Sequence, residues 1–346
     1  MPPLRNMFER LLVRAASLPM FGFAPRLPLW PRAADQRLTV RLNIFAHLAK
    51  RQLSIDRIPS EADRRRFDRS MAAACPAPGL EVADSTVRVP DAVGAQTSPI
   101  LHQPLRGTRT LLVWVHGGGW FIGSVEGYRG TTRVLADSAR MNVLSLDYRL
   151  APQHPFPAAF DDVAAGYRYA VDHAGELGAD PGQVGIAGDS AGANIAAAVA
   201  LSMADDARYR PAFLGLWYPI VDYRLDRYRS TDLFSAPLDR AIVEKAVRWY
   251  APRLEQCADP RCFILTATVR ELSALPPTLV AAAGVDVLRD QSVALADRLE
   301  AAGVTVVSTR GENLPHGYLG ALFDSDARAE TTRTAQMLAD LARSRV

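Results

Sequence analysis

From about residue 80 onward, short apolar runs alternate with helical stretches, and no other feature of the chain limits its fold so tightly. LLVWVHG (111–117), NVLSLDYR (142–149), QVGIAGD (183–189), FLGLWYPIV (213–221), PTLVAAAGV (277–285) and VTVVSTRG (304–311) read as strands. The first two are apolar almost throughout instead of alternating, the mark of strands buried on both faces. Helical text separates the strands at 127–141, after the proline-rich loop 151–160, at 193–207 and at 289–302, and closes the chain at 326–344. Such alternation specifies an α/β fold, a mostly parallel central sheet flanked by helices on both faces. Two further strands are expected ahead of it, in LEVADSTVRVP (80–90) and TSPILHQPL (97–105).

Two segments stand outside the alternation. Residues 1–75 read as helical, with RLTVRLNIFAHLAKRQL (37–53) amphipathic. Residues 222–270 hold far more than one crossover helix, including LDRAIVEKAVRWYAPRL (238–254). The expected organisation is therefore a helical cap region over 1–75 and an α/β domain over 76–346, with 222–270 contributing to the cap. The arginine-rich EADRRRFDRS (61–70) mixes both charge signs and reads as a solvated helix face. No internal repeat is present.

Charge and composition exclude several classes of function. Forty Lys and Arg against 37 Asp and Glu leave a net charge of only +3, too little to argue for nucleic acid. No apolar run reaches the roughly 18 residues of a membrane span. Glu9, Arg10 and Arg14 interrupt the N-terminal apolar text, so it reads as no signal peptide, and a cytoplasmic location is expected. That text is compatible with resting on a lipid surface, but membrane contact is not the expectation. Cys75, Cys257 and Cys262 offer neither a disulfide framework nor metal-ligand spacing. Unpaired thiols are expected, with Cys257–Cys262 the one conceivable bridge.

The chemistry concentrates around VGIAGDSAGANIAAAVAL (184–201). Glycines two positions before and two after Ser190 suit a tight strand-to-helix turn that lifts a serine above a sheet. A glycine-rich turn alone is weak evidence, because any α/β protein contains several. A reactive serine also needs a base, an acid to orient the base, and donors for an oxyanion. Of six histidines only His316 follows Ser190, in the polar loop ENLPHGYLG after the last strand. The acid should end a strand, where side chains converge above the sheet. Asp286 follows TLVAAAGV and Asp222 follows FLGLWYPIV. Asp286 is preferred because it opens DVLRD, with Asp290 as the expected helix N-cap; Asp222 remains its rival. HGGGW (116–120) supplies consecutive glycines that free backbone N–H groups to face a substrate, so Gly118, Gly119 and Ala191 are the expected oxyanion donors. His116, inside that turn, is expected to hold the loop by hydrogen bonding. Asp147 and Arg149 of DYRLAP are expected to pair as an internal salt bridge, and Asp161 and Asp162 to favour a helix N-terminus. Phe8, Leu11, Leu12, Phe21 and Phe45 are candidates to line a channel or to pack inside the cap.

With HGGGW, DYRLAPQHPFPAAFDD, ADPGQVGIAGDSAGANIAA, LPPTLVAAAGVDVLRD, ADRLEAAGV and LPHGY on one chain, residues 110–320 resemble the hormone-sensitive-lipase-like esterases of the α/β-hydrolase superfamily. The resemblance implies a triad of Ser190, Asp286 and His316, an oxyanion hole of Gly118, Gly119 and Ala191, and a cap from the N-terminal helices and 222–270. It implies hydrolysis of a small-molecule ester through an acyl-enzyme, with no metal or organic cofactor, in a monomer or homodimer. The chain departs from the family pattern at Val287, where proline is common, at Gln153, where Glu is usual, and at Tyr318, where Phe is more frequent. None removes a catalytic group. Three rivals share the scaffold: an amide or formamide hydrolase, a surface-acting lipase, and a non-catalytic binding protein.

Overall fold

The computed structural model describes residues 38–344 apart from 55 and 78. Its centre is an eight-stranded sheet. The strands are β1 (Val82–Thr86), β4 (Ile100–Pro104), β5 (Leu111–Val115), β6 (Asn142–Leu146), β7 (Val184–Asp189), β8 (Leu214–Trp217), β9 (Thr278–Val285) and β10 (Val306–Pro315). They lie in the order β1-β4-β6-β5-β7-β8-β9-β10, antiparallel from β1 to β6 and parallel beyond. Expected strand 80–90 splits, because β2 (Val89–Pro90) leaves the sheet to pair with β3 (Gln96–Thr97). Expected strand 213–221 is shorter than its apolar text. It stops at Trp217, and Tyr218 takes a positive φ of 35°.

Helices cover both faces. On one lie α3 (Val125–Ala139) and α10 (Ser325–Arg343), packing Leu135 and Leu338 against Leu112 and Trp114. On the other lie α4 (Ala158–Asp172), α5 (Ala191–Ser202) and α9 (Arg289–Ala301). α5 is buried from Ala191 through Ala200. Small side chains are what allow a helix to sit that deep.

The chain runs from β5 to β6 on one side and then returns to place β7 on the other. That reversal opens a crevice at the strands' C-terminal ends, where open α/β sheets hold ligands. Ahead of the sheet come α1 (Val40–Leu53) and α2 (Glu61–Ala74). Residues 1–37 of the expected cap lie outside the described residues. Between β8 and β9 the chain forms short helices, namely α6 (Ser230–Leu233), α7 (Arg240–Tyr250) and α8 (Val269–Leu272). α1 meets this insertion through Lys50–Asp239 at 2.8 Å, and Lys245 donates to the Leu53 carbonyl at 3.2 Å. α2 is less solvated than its charges suggest. Phe67 and Met71 are buried, and Arg64 donates to the carbonyls of Phe121 and Ala151. All three cysteines are buried free thiols. No helix among the described residues is long and apolar enough to cross a membrane.

Candidate active site

β7 ends at Asp189, and the next residue holds φ 54° and ψ −119° before α5 begins. A non-glycine residue in that region is strained, and it persists only where its surroundings impose it. Here they do. A Cβ on Gly192 would come within 2.1 Å of the Val115 carbonyl, so only glycine lets α5 start against the end of β5. The turn sets Ser190 on the crevice, where its hydroxyl donates to Nε2 of His316 at 2.9 Å. The imidazole's Nδ1–H donates to Oδ2 of Asp286 at 2.7 Å. The other oxygen of Asp286 accepts from the Leu288 N–H at 2.9 Å, which fixes the carboxylate's plane. A base oriented by a buried acid, and in turn holding a hydroxyl, is an arrangement that can generate an alkoxide nucleophile.

Facing the serine is the turn after β5. Gly118 and Gly119 hold φ 115° and 60°. A Cβ on Gly118 would overlap the Ile122 carbonyl at 2.0 Å, the same carbonyl turn whose start is closed by Phe121 and Ile122 N–H groups donating to Gly118 O. Among the described residues, the N–H groups of Gly118, Gly119 and Ala191 donate to no protein acceptor. His116 is fully buried; its Nδ1–H donates to the Gly117 carbonyl at 2.8 Å, and its ring stacks on Tyr148 at 4.4 Å. Burial pushes its pKa down, which keeps it neutral within the turn.

Residues 112–320 match the family model for the alpha/beta hydrolase fold. The chain is 37% identical over 231 residues to the carboxylesterase NlhH of Mycobacterium tuberculosis, covering 66% of this chain and 72% of that one. The chain belongs to the α/β-hydrolase family, in its hormone-sensitive-lipase-like branch. An arylesterase of Saccharolobus solfataricus is 32% identical over 286 residues, 80% of this hydrolase and 90% of the relative. The solved structure of the ester hydrolase EH1AB1, from the metagenome of Lake Arreo, superposes with a TM-score of 0.72 at 31% identity, covering 84% of this chain and 91% of its own.

The rival acid sits elsewhere in the hydrolase. Asp222 is gripped by Arg224 through two bonds of 2.8 and 3.0 Å, and accepts from the Tyr228 hydroxyl at 2.9 Å. Two sequence expectations need correction. Arg149 does not pair with Asp147. It forks onto Asp162 with two 2.8 Å bonds, because Asp162 on α4 is buried beside it, while Asp147 accepts from the N-terminal Val125 N–H of α3. Asp290 is not the N-cap of α9, which is Leu288; its carboxylate instead accepts from the Ser230 N–H and ties α6 to the turn carrying Asp286.

One residue passed unnoticed in the sequence. Asp189, fully buried beside Ser190, accepts from the Gly117 N–H at 2.8 Å, from the Tyr128 hydroxyl at 3.1 Å and from the Tyr218 hydroxyl at 3.4 Å. The Tyr218 hydroxyl also accepts from the Leu319 N–H at 3.3 Å, and its ring lies 4.8 Å from that of His316. One carboxylate thus joins the glycine turn to the loop of the base. Burial raises its pKa to about 6, with those donors opposing the rise. Its position between Gly188 and Ser190 was the available signal.

A cavity opens above Ser190 and His316. Phe45, Leu48 and Met71 line one side, and Leu238, Ile242 and Val243 line the other. Phe8, Leu11, Leu12 and Phe21 lie outside the described residues; Phe45, the channel candidate within them, lines this cavity.

Proposed function

We propose that this hydrolase is a serine carboxylesterase acting on short- to medium-chain esters of small molecules. The observation that carries the reading is the chain of hydrogen bonds Ser190–His316–Asp286, with bonds of 2.9 and 2.7 Å at the end of a strained elbow. The esterase relatives support it. His316 Nε2 takes the Ser190 proton as Oγ attacks the ester carbonyl, and Asp286 holds the imidazole in the tautomer that leaves Nε2 free. The oxyanion of the tetrahedral intermediate is received by the N–H groups of Gly118, Gly119 and Ala191. His316 then gives the proton to the departing alkoxide, leaving an acyl-Ser190. Water repeats the sequence: His316 takes its proton, the hydroxide attacks the acyl carbon, and Ser190 leaves with the proton returned.

α1, α2 and the 222–270 insertion act as the cap in this reading, supported by the residues from all three that line the cavity. Ser190→Ala should lower kcat by on the order of 10⁴-fold with the fold intact. A fluorophosphonate should label Ser190 in the parent enzyme and nothing in the variant. A variant that kept a tenth of the rate, with unchanged circular dichroism, would remove the serine mechanism.

A further inference from the structure

α1 faces the cavity with Ile44, Phe45, Leu48, Ala49, Gln52 and Leu53, about two residues per turn, and five of those six are apolar. Gln52 breaks the pattern. Its side-chain Nε2 donates to the Ser70 hydroxyl of α2 at 2.9 Å, and Ser70 spends its own proton on the Arg66 carbonyl at 3.0 Å. Ser70 therefore acts as acceptor towards Gln52, which fixes which end of the amide is nitrogen. The second N–H of Gln52 and its carbonyl oxygen have no protein partner among the described residues. We infer that Gln52 is a specificity-determining residue whose amide receives an uncharged carbonyl or hydroxyl carried by the substrate away from the scissile ester. This rests on the esterase reading above.

Three observations lead there. First, the amide is half-buried in a wall to which α1 and α2 add one other polar side chain, Ser70, so a plain hydrocarbon lying across it leaves a donor and an acceptor unpaired. A hydroxyl or ketone restores the pairing. Second, among the described residues no Lys or Arg lines the cavity, so none of them offers a cation to a carboxylate on the substrate. Third, Gln52 lies seven residues along α1 from Phe45, about 10 Å at the helical rise. Phe45 packs on Phe323, at 6.1 Å, in the segment that follows His316. The recognised group belongs to the substrate's tail, not to the atoms next to the reacting carbonyl.

The Gln52–Ser70 bond also joins α1 to α2, so the test must separate recognition from bracing. The full-length enzyme would be assayed on nitrophenyl hexanoate and 5-oxohexanoate, and on the acetates of hexanol and of its 5-oxo counterpart. In the series that reaches α1, the oxo-to-plain ratio of kcat/KM should be about tenfold higher for the parent than for Gln52→Leu, through KM. Plain-ester rates should stay within about threefold. Ser70→Ala, which removes the brace and keeps the amide, should retain the preference even where its melting temperature falls. Equal ratios in parent and Gln52→Leu in both series would overturn the inference, and so would an equal loss in Ser70→Ala. If the parent hydrolysed neither plain ester, the esterase reading would fail first and take this one with it.

Discussion

Asp286 and Asp222 each follow an apolar run in the sequence, are each almost wholly buried, and differ in what surrounds them. Asp286 keeps one oxygen for a backbone N–H and offers the other to His316. Asp222 has both oxygens taken by Arg224 and Tyr228, so it has nothing left to orient an imidazole. Asp286→Asn should cost on the order of 10³- to 10⁴-fold in kcat, because an amide favours the wrong tautomer. Asp222→Asn should cost less than about tenfold and act mainly on stability, since it leaves Arg224 without its charge partner. Ester hydrolysis by the two purified variants checks the ranking, and a reversed order would move the acid to Asp222. Asp189 carries a pH-dependent cost. Its folded pKa, raised to about 6 from 3.8, means that the folded enzyme binds its proton more tightly than the unfolded chain does. The stability gained from that protonation is fully present below the unfolded value and is lost as pH rises through about 6. Asp189→Asn removes the ionisation while keeping an oxygen for the Gly117 N–H. The parent's stability minus the variant's should therefore fall by about 2 kcal/mol between pH 4 and pH 7, read from urea unfolding at each pH. A constant difference would show that the carboxylate does not titrate there.

Among the elements, β5, β7 and α5 are brought together closely enough to leave no room for a side chain. A Cβ at Gly192 would meet the Val115 and His116 carbonyls at 2.1 and 2.5 Å, backbone atoms at the end of β5 and the start of the glycine turn. Gly192→Ala must push α5 from β5, and so separate the serine from the oxyanion donors. It should destabilise by about 3 kcal/mol, as overpacking of a tight core does, and lose most of its activity. Gly175→Ala is the control. Nothing lies within 4 Å of its Cβ and its φ is ordinary, so it should be neutral or slightly stabilising. Thermal melts and initial rates of both variants compare local strain with general loss of a glycine.

At the scale of the whole molecule, the cavity is lined by pieces far apart in sequence. α1 is held at one end by Thr39 donating to Asp324 at 3.0 Å, and at the other by the Lys50–Asp239 pair. An apolar space of limited size rewards each buried methylene by roughly 0.8 kcal/mol until it is full. We therefore expect kcat/KM to rise from acetyl to butyryl–octanoyl nitrophenyl esters and then to fall, with no jump when substrate passes its solubility limit. Best activity on palmitoyl esters or emulsified triglyceride would favour a surface lipase instead.

Strand positions, the buried parallel sheet and the candidates Ser190, His316, Asp286 and Asp222 were legible in the chain because they depend on local pattern. Apolar runs, glycine spacing and chain order survive without coordinates. The shortened β8 was not, because Tyr218 turns away under contacts with Asp189 and the Leu319 N–H that no local text encodes. The partner of Arg149 escaped for the same reason: α4 brings Asp162 within reach, whereas Asp147 is drawn to the start of α3. Asp189 stands in the text only as the residue between Gly188 and Ser190, and its role depends on the fold setting Gly117, Tyr128 and Tyr218 around it. The sequence by itself determined which groups the chain could offer for chemistry. Only the tertiary structure decided which carboxylate met the histidine and which was spent on an arginine, because a side chain's partners are set by distances between elements remote in sequence.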